Sequence, residues 1–533
     1  GRAVAEICGR LDGLPLAIEL AAAHSKLLSP AMILARLDDR FQILASQSPN
    51  VPIRHQTLHH TIDWSHDLLG PDEQVLFRRL GVFMGGFSLA AAASICAEGA
   101  GGSAGFSATL ASLLDKSLLQ QIESPTGAVR FTMLESLRTY AFERLQASGE
   151  SDAVKDRHLA YYFDLTQRAA PYAKGMRRWA HPDALRGWDA ERDNLRLAIQ
   201  WALDRGRGEM VVQMCSALAH FWYVSGQPGE IRQWLETALS LELPAALRAN
   251  ALALTGYVLA FMLIDYHQAQ TYYEQALSLC RELGEDRNVA DLLCQMGTLL
   301  MEQGDYARAR LLDEESLAIC RQLGDEDAVR GVREGLGVVL MRQGELDRAE
   351  EIFKASLQWW QARHEDLATA FACNYLGAIA MYRGDLAQAY TMHQQALSLY
   401  ERAGDTRGTS AALNGLGPVA LGQGHVEQAQ TFLKRSLRLR WECQDYDGIA
   451  WNLERLAEVA VIQGRLEQGA RLWGSAQGLR QSINSPLFPV ERLRIEGALA
   501  GAHAQFGESN WARAQVAGSQ TPVEQMVAYV LQG

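Results

Sequence analysis

Three histidines, His55, His59 and His60, lie close together, and His55 with His59 has the i, i+4 spacing that puts two imidazoles on one helix face, as a zinc site needs. No glutamate follows His55, so the helix of a metalloprotease with its general base is not written here, and the three read as helix-surface side chains. ATP hydrolysis needs a glycine loop closed by Lys and then Ser or Thr. The chain has six lysines, and only Lys116 precedes a hydroxyl residue, inside Leu114-Asp115-Lys116-Ser117 with no glycine loop. The eight cysteines form no C-x-x-C pair and read as buried thiols of a reducing compartment. The expectation is a chain that is not an enzyme on its own.

The strongest signal is periodic. Gly304, Gly344, Gly384, Gly424 and Gly464 recur every 40 residues, each opening a phrase such as Gly-Asp-Tyr-Ala-Arg-Ala or Gly-Glu-Leu-Asp-Arg-Ala. Gly297, Gly337, Gly377, Gly417 and Ala457 keep the same step, as do Ala309, Ala349, Ala389, Ala429 and Gly469, and then Ser316, Ser356, Ala396 and Ser436. Apolar residues at helical spacing flank each turn glycine, so each unit is a helical hairpin and the array is a solenoid. The small columns are expected to face one another and let helix axes approach. Hinges such as Leu323-Gly324-Asp325-Glu326 join hairpins, their acids capping helices. The pattern resembles the tetratricopeptide repeat, with a period longer than the roughly 34 residues usual there. About seven hairpins are expected over residues 209–482, with a helical cap from 483 to 533.

The first part of the chain reads as helices, then a hairpin. Arg54 to Leu69 is an amphipathic helix, Pro71-Asp72-Glu73 opens another, and Leu89 to Cys96 and Ser107 to Lys116 are two more. Ser117–Glu123 and Ala128–Thr132 alternate around a Ser-Pro-Thr-Gly turn, and a helix follows from Met133 to Gln146. Helices followed by a two-stranded hairpin describe a winged helix.

The order of Gly13-Leu14-Pro15-Leu16-Ala17, Ile62-Asp63-Trp64-Ser65, Leu76 to Leu80, Leu114 to Leu118, Met133-Leu134-Glu135 with Arg138 and Tyr140, Arg157-His158, and Asp193-Asn194 resembles bacterial STAND regulatory ATPases of the AfsR-like and LuxR-like type, relatives of the NB-ARC proteins. The resemblance implies a fragment of such an ATPase: its helical domain (1–50), a winged helix (51–148), a helical linker (149–208) and the repeats. It implies that Gly13, Leu14, Pro15 and Leu16 touch a nucleotide held mainly by an upstream domain in cis, with ATP or ADP in the full-length protein and no cofactor in this fragment. Where the relatives carry Met-His-Asp as a diphosphate sensor, this chain has Met133-Leu134-Glu135, which leaves Arg138 as the candidate for that role. It further implies a regulatory and sensor arm whose repeats bind an inducer or a protein partner on their concave face. The competing reading is a free-standing repeat scaffold.

Charge and hydropathy set limits. With 50 basic and 62 acidic side chains the net charge is −12, and residues 1–150 carry 12 and 15, so nucleic-acid binding by this fragment is not expected. Arg78-Arg79 is the only basic pair in that region. Leu80–Ala97 and Ala249–Ile264 are uncharged, but the first is broken by Gly85-Gly86 and the second falls in register with the repeats, so the expectation is a cytoplasmic protein without a membrane segment. The fold class expected is mainly α: a helical domain and winged helix followed by a tetratricopeptide-repeat α-solenoid.

Overall fold

The computed structural model describes residues 2–10, scattered positions between 18 and 33, and residues 62–97, 102–123, 127, 129–173, 188–224, 227–263, 265–443 and 445–532. By compactness the chain divides into two units, residues 1–175 with 183–217, and 176–182 with 218–533.

In the first unit, α1 (Arg2–Arg10) is followed, among the described residues, by a helical stretch at 62–67 and by α2 (Pro71–Leu80). The start of α2 is fixed by proline in its first turn and by Glu73, whose carboxylate accepts from the Gly70 amide at 2.7 Å. The chain turns at Gly85-Gly86 into β1 (Phe87–Ser88), and Ser88 Oγ accepts from the Ala91 amide to cap α3 (Leu89–Cys96). Then come α4 (Gly102–Asp115), β2 (Gln120–Glu123), β3 (Val129–Thr132) and α5 (Glu135–Ala147). The sheet order is β1-β3-β2, all antiparallel, with Phe87 and Gln121 both opposite Phe131. This is a winged helix, but with three strands where the sequence suggested two. A two-residue strand has no alternation to read; it exists because Phe87 stacks over Phe131. Two long helices complete the unit's described part, α6 (Ser151–Ala173) and α7 (Arg192–Asp204).

Helix α8 (Gly208–Val224) contains the boundary between the units, and with α9 (Pro228–Leu239) it matches the weakest repeat copy. Six regular hairpins follow. Their first helices are α10 (Ala245–Tyr257, continued by a π turn, Val258–Met262), α12 (Asp286–Glu302), α14 (Glu326–Gln343), α16 (Asp366–Tyr382), α18 (Thr406–Gly422) and α20 (Tyr446–Ile462). Their second helices are α11 (Tyr266–Leu283), α13 (Tyr306–Gln322), α15 (Leu346–Ala362), α17 (Leu386–Ala403), α19 (Val426–Glu442) and α21 (Leu466–Ser482). The chain ends in α22 (Pro489–Phe506), α23 (Glu508–Ser519) and α24 (Val523–Gln532). Among the described residues one helical stretch, Ala245–Met262, is long and apolar enough to cross a membrane; here it is the first helix of a hairpin, with Gly256 against the ring of Tyr273.

The turn glycines behave as the period implies: Gly344 and Gly384 stand at φ +90° and +84°. The hinge acids cap as expected, Asp305, Asp325, Asp385, Asp405 and Asp445 each accepting from the amide three residues on. The small columns approach one another as expected, the Ala309 and Ala457 carbonyls lying 3.3 and 3.2 Å from where a Cβ on Gly297 and Gly469 would stand. They also receive large side chains: a Cβ built on Gly297, Gly337, Gly377 or Gly417 would meet, within 3.1 Å, the side chain of Asp313, Phe353, His393 or Leu433, which itself forms a 40-residue column. The second helix thus presses a side chain into the notch of the first. The serine column ties the same interface by hydrogen bonds, Ser316 Oγ donating to the Ala290 carbonyl and Ser436 Oγ to that of Ser410, both at 2.7 Å.

Two substitutions separate these roles. Gly377→Leu drives a side chain into the buried His393 ring and should cost roughly 1 to 3 kcal/mol or more by overpacking. Gly384→Val meets no neighbour and should cost roughly 1 to 2 kcal/mol through left-handed backbone strain, which Gly384→Asn should largely avoid. Hydrogen exchange should show the Gly377→Leu damage concentrated around residues 327–442, with the winged helix intact; uniform loss over the chain would refute the hairpin as the packing unit.

Candidate functional site

Gly13, Leu14, Pro15 and Leu16 lie outside the described residues, as do His55, His59 and His60. Among the described residues no cluster of His, Cys, Asp and Glu could hold a metal ion. Leu134 caps the start of α5 without a side-chain hydrogen bond, at the place of the sensor histidine. Arg138 makes a two-pronged ion pair with Glu135, 2.7 and 3.0 Å, which raises its pKa, so reaching a phosphate would require leaving its own helix turn. Lys116 is spent structurally: its Nζ donates to both oxygens of Glu73, at 2.6 and 2.7 Å. The Gly-Gly-Ser-Ala-Gly run at 101–105 has the spelling of a nucleophile elbow, but it is helical from Gly102, and the described element before it is a helix where an elbow follows a strand.

The ordered motifs meet one another in space. Asp63 accepts from the Tyr140 hydroxyl and from Arg144. Arg157 donates to the Ile95 carbonyl at 2.8 Å. Asn194 accepts from the Met84 amide at 2.9 Å and donates to the Gly86 carbonyl at 2.8 Å, clamping the turn before β1, while Arg130 of β3 pairs with Glu191, which also accepts from the Tyr162 hydroxyl at 2.8 Å. Asp63 is therefore a polar clamp within the winged helix, while Arg157, Asn194 and Glu191 clamp it to the linker. None of the sequence spacing announced the partnerships, because all but the Tyr162–Glu191 bond, 29 apart, join residues from 61 to 110 apart.

For DNA the winged helix offers little. Helix α4, which a winged helix would lay in the major groove, carries no basic residue. Arg78 and Arg79 both pair with Glu150, at 3.1 and 3.0 Å, and Arg79 also donates to the Cys96 carbonyl.

The repeats form the other candidate surface. The Phe488 ring lies 6.5 Å from Tyr382, 5.0 Å from Trp451 and 5.4 Å from the Arg342 guanidinium, side chains on three different first helices. One ring can meet them only if the array curls with its first helices inside, and Tyr266 of the first regular hairpin feels the charges of Asp447 and Arg480 in the last. Ion pairs line this inner face. Arg342 donates to Glu302 one repeat upstream, at 3.0 and 3.1 Å, Arg480 pairs with the buried Glu454, and Arg455 Nε donates to Asn414 at 2.9 Å. The groove columns vary between repeats (Glu302, Arg342, Tyr382; Asn374, Asn414, Glu454), whereas the packing columns keep small residues. Trp359 is sandwiched by Arg330 and Arg363 at 4.4 and 3.5 Å, and Trp360 donates to Glu334, which stands in the same 40-residue column as Asn374 and Asn414.

Fold and surfaces together define a winged-helix protein with a tetratricopeptide-repeat superhelix. The model for the winged helix-turn-helix domain matches residues 69–146, and that for the tetratricopeptide repeat matches 247–322 and 367–440. The chain is 36% identical over 304 residues, 55% of its length, to the "Putative HTH-type transcriptional regulator Rv0890c" of Mycobacterium tuberculosis, and 46% identical over 160 residues to the uncharacterized protein Rv0894 of the same organism. It spans 34% and 39% of those relatives' lengths. Among solved structures it is similar to PH0952 of Pyrococcus horikoshii, a STAND protein with a tetratricopeptide repeat sensor, with TM-score 0.54 and 12% identity, over 97% of this chain and 74% of that one.

His158 supplies a pH test of the clamp region. It is buried between Phe83 and Tyr162, at 5.6 and 4.6 Å, and burial lowers its pKa to about 4. The unfolded chain takes up this proton near pH 6.5 and the folded one only near pH 4, so the stability it contributes is complete above about 6.5 and is lost as pH falls. Denaturant titrations of the winged-helix signal should lose roughly 3 kcal/mol across that window from this group, at about 1.4 kcal/mol per pH unit. His158→Phe should remove that part of the slope.

Proposed function

We propose that this chain is the regulatory and sensor arm of a STAND signal-transduction ATPase acting in transcriptional control, with the repeat groove receiving an inducer or protein partner. The observation that carries the reading is the fold likeness over nearly the whole chain to a STAND protein with a repeat sensor, joined to 36% identity with an HTH-type regulator about three times the matched length. The ordered motifs and their clamps support it: a partner on the groove would act through the repeats on the linker, and the linker residues Asn194 and Glu191 grip the turn and strand of the winged helix. In this reading the winged helix is a switching element and does not touch DNA. ATP or ADP belongs to the longer protein, held upstream with Gly13 to Leu16 closing on base and sugar. Eight free thiols, five of them buried, suit a reducing cytoplasm.

Residues 1–533 alone should bind no ATP by calorimetry and hydrolyse none, because the chain has no phosphate loop; micromolar affinity would overturn the reading. Expressed with its natural upstream sequence, the protein should bind adenine nucleotide, and Pro15→Ala should weaken binding by roughly 1 kcal/mol, the order of one or two lost methylene contacts.

Direct DNA binding is tested separately. The purified chain should give no sequence-selective, salt-sensitive gel shift, since its recognition helix has no cation to release counterions.

A further inference from the structure

The inner face of the repeats is already occupied by the chain itself. After α21 the backbone turns through Asn484 at φ +49° and lays Pro486 against Gly304, and Leu487 and Phe488 are buried. Phe488 then sits on the aromatic and arginine shelf of Tyr382, Trp451 and Arg342. In α22, Glu491 is fully buried, lies 3.0 Å from Arg455 and accepts from the Tyr382 hydroxyl at 3.0 Å, and Arg494 donates to Glu458 at 2.9 Å. Phe488 is the extended residue that precedes α22, and Glu491 and Arg494 stand three apart in its first two turns. An aromatic ring, an acid and a base meet a shelf, a cation and an anion.

The rest of α22 buries Ile495, Leu499 and Ala502 in the core it shares with α20, α21 and α23, but its outer face is built weakly. Gly497 and Gly501 sit in its interior with no atom within 4 Å of where a Cβ would stand, so neither serves packing, and glycine disfavours helix more than any residue but proline. Leu493 is 74% exposed. Both ends are fixed elsewhere. The left-handed turn at Asn484 follows α21, and beyond Gly507 (φ +85°) α23 is locked onto α21, where a Cβ on Gly474 would lie 1.9 Å from the Gln515 carbonyl and one on Gly518 2.0 Å from that of Arg471. The helix can therefore leave the groove while the chain's end stays docked. A cavity of about 500 Å³ lined by Tyr266, Gln303 and Asn484 adjoins the start of the segment, giving a competitor room to enter.

We propose that α22 is a tethered, releasable occupant of the repeat groove, and that the partner displacing it presents an aromatic residue just before a helix, with an acidic and a basic residue three and six positions further on. This rests on reading the repeats as the sensing arm, and it gives that arm a resting state closed by its own chain. Partner affinity is then reduced by the fraction of molecules in which the groove is self-occupied.

The test uses residues 1–533 and a fluorescent synthetic peptide copying residues 484–496. Phe488→Ala in the protein should raise peptide affinity at least tenfold over wild type by loosening the resident helix. The Gly497→Ala/Gly501→Ala pair should lower it roughly ten- to thirtyfold by stiffening that helix without touching the groove. A peptide carrying Glu491→Lys should not bind. Hydrogen exchange in the unaltered protein should show 489–506 opening faster than α20 and α21. Equal protection of α22 and α20, no peptide binding by a Phe488→Ala protein of unchanged helicity, or no effect of the paired alanines would overturn the proposal. Concentration-dependent dimerisation of Phe488→Ala would make the occupant a second copy and overturn the partner assignment. None of these readouts involves nucleotide, so the STAND reading can fail in the longer protein while this one stands, and the reverse.

Discussion

The repeat array depends on one contact made over and over: a glycine in the first helix of a hairpin receiving the side chain that stands 16 residues later in the second. Because the notch admits a ring at Phe353 and His393 and a branched chain at Leu433, helix spacing is set by the absent Cβ and not by any particular partner. That frees the partner column to vary while the period holds. It also frees the first helices' other faces. With packing assigned to small columns, the columns ending in Glu302, Arg342, Tyr382 and Arg455 can carry charge and aromatic rings into the groove.

The winged helix is held by a different logic. Besides apolar contacts such as Phe77 with Tyr140 and Phe87 with Phe131, it is tied by polar pairs that are one of a kind: Asp63 with Tyr140, Glu73 with Lys116, Arg130 with Glu191, Asn194 with the backbone around Gly85-Gly86. Each joins two blocks that sequence alone shows only as an order. A buried polar group costs several kcal/mol when its partner moves away, so such clamps favour discrete arrangements over gradual ones.

Legibility in the sequence followed this division. The 40-residue step fixed hairpins, turn glycines and capping acids, because those depend on backbone geometry that repeats with the chain. The approach of the small columns followed too, but the large side chain that each first-helix glycine also receives did not. In the winged helix, elements of eight or more residues were readable to within a few positions, whereas β1 is made only by its pairing with β3. The roles of Asp63, Lys116, Asn194 and Glu191 were out of reach, since nothing local distinguishes a clamp from a surface residue. The groove's occupant was hidden for the same reason: residues 483–533 read as a cap, and only the array's curvature brings Glu491 to Tyr382, 109 positions away.

That curvature changes what kind of object the solenoid is. A stack whose units touch only their neighbours transmits strain one hairpin at a time. Here Phe488 and Glu491 touch α14, α16 and α20 at once, so a single segment ties hairpins that are otherwise connected only through those between them. While α22 is seated, the array is closed and its hairpins are coupled across the groove. Once it leaves, Arg455 loses the carboxylate of Glu491 and Glu458 the guanidinium of Arg494. Buried charges left so are costly, and the emptied groove must relax toward a different curvature or take up a partner that restores both pairs. The same electrostatics that make the seated state stable thus make the empty one short-lived, which is what a two-state sensing arm requires.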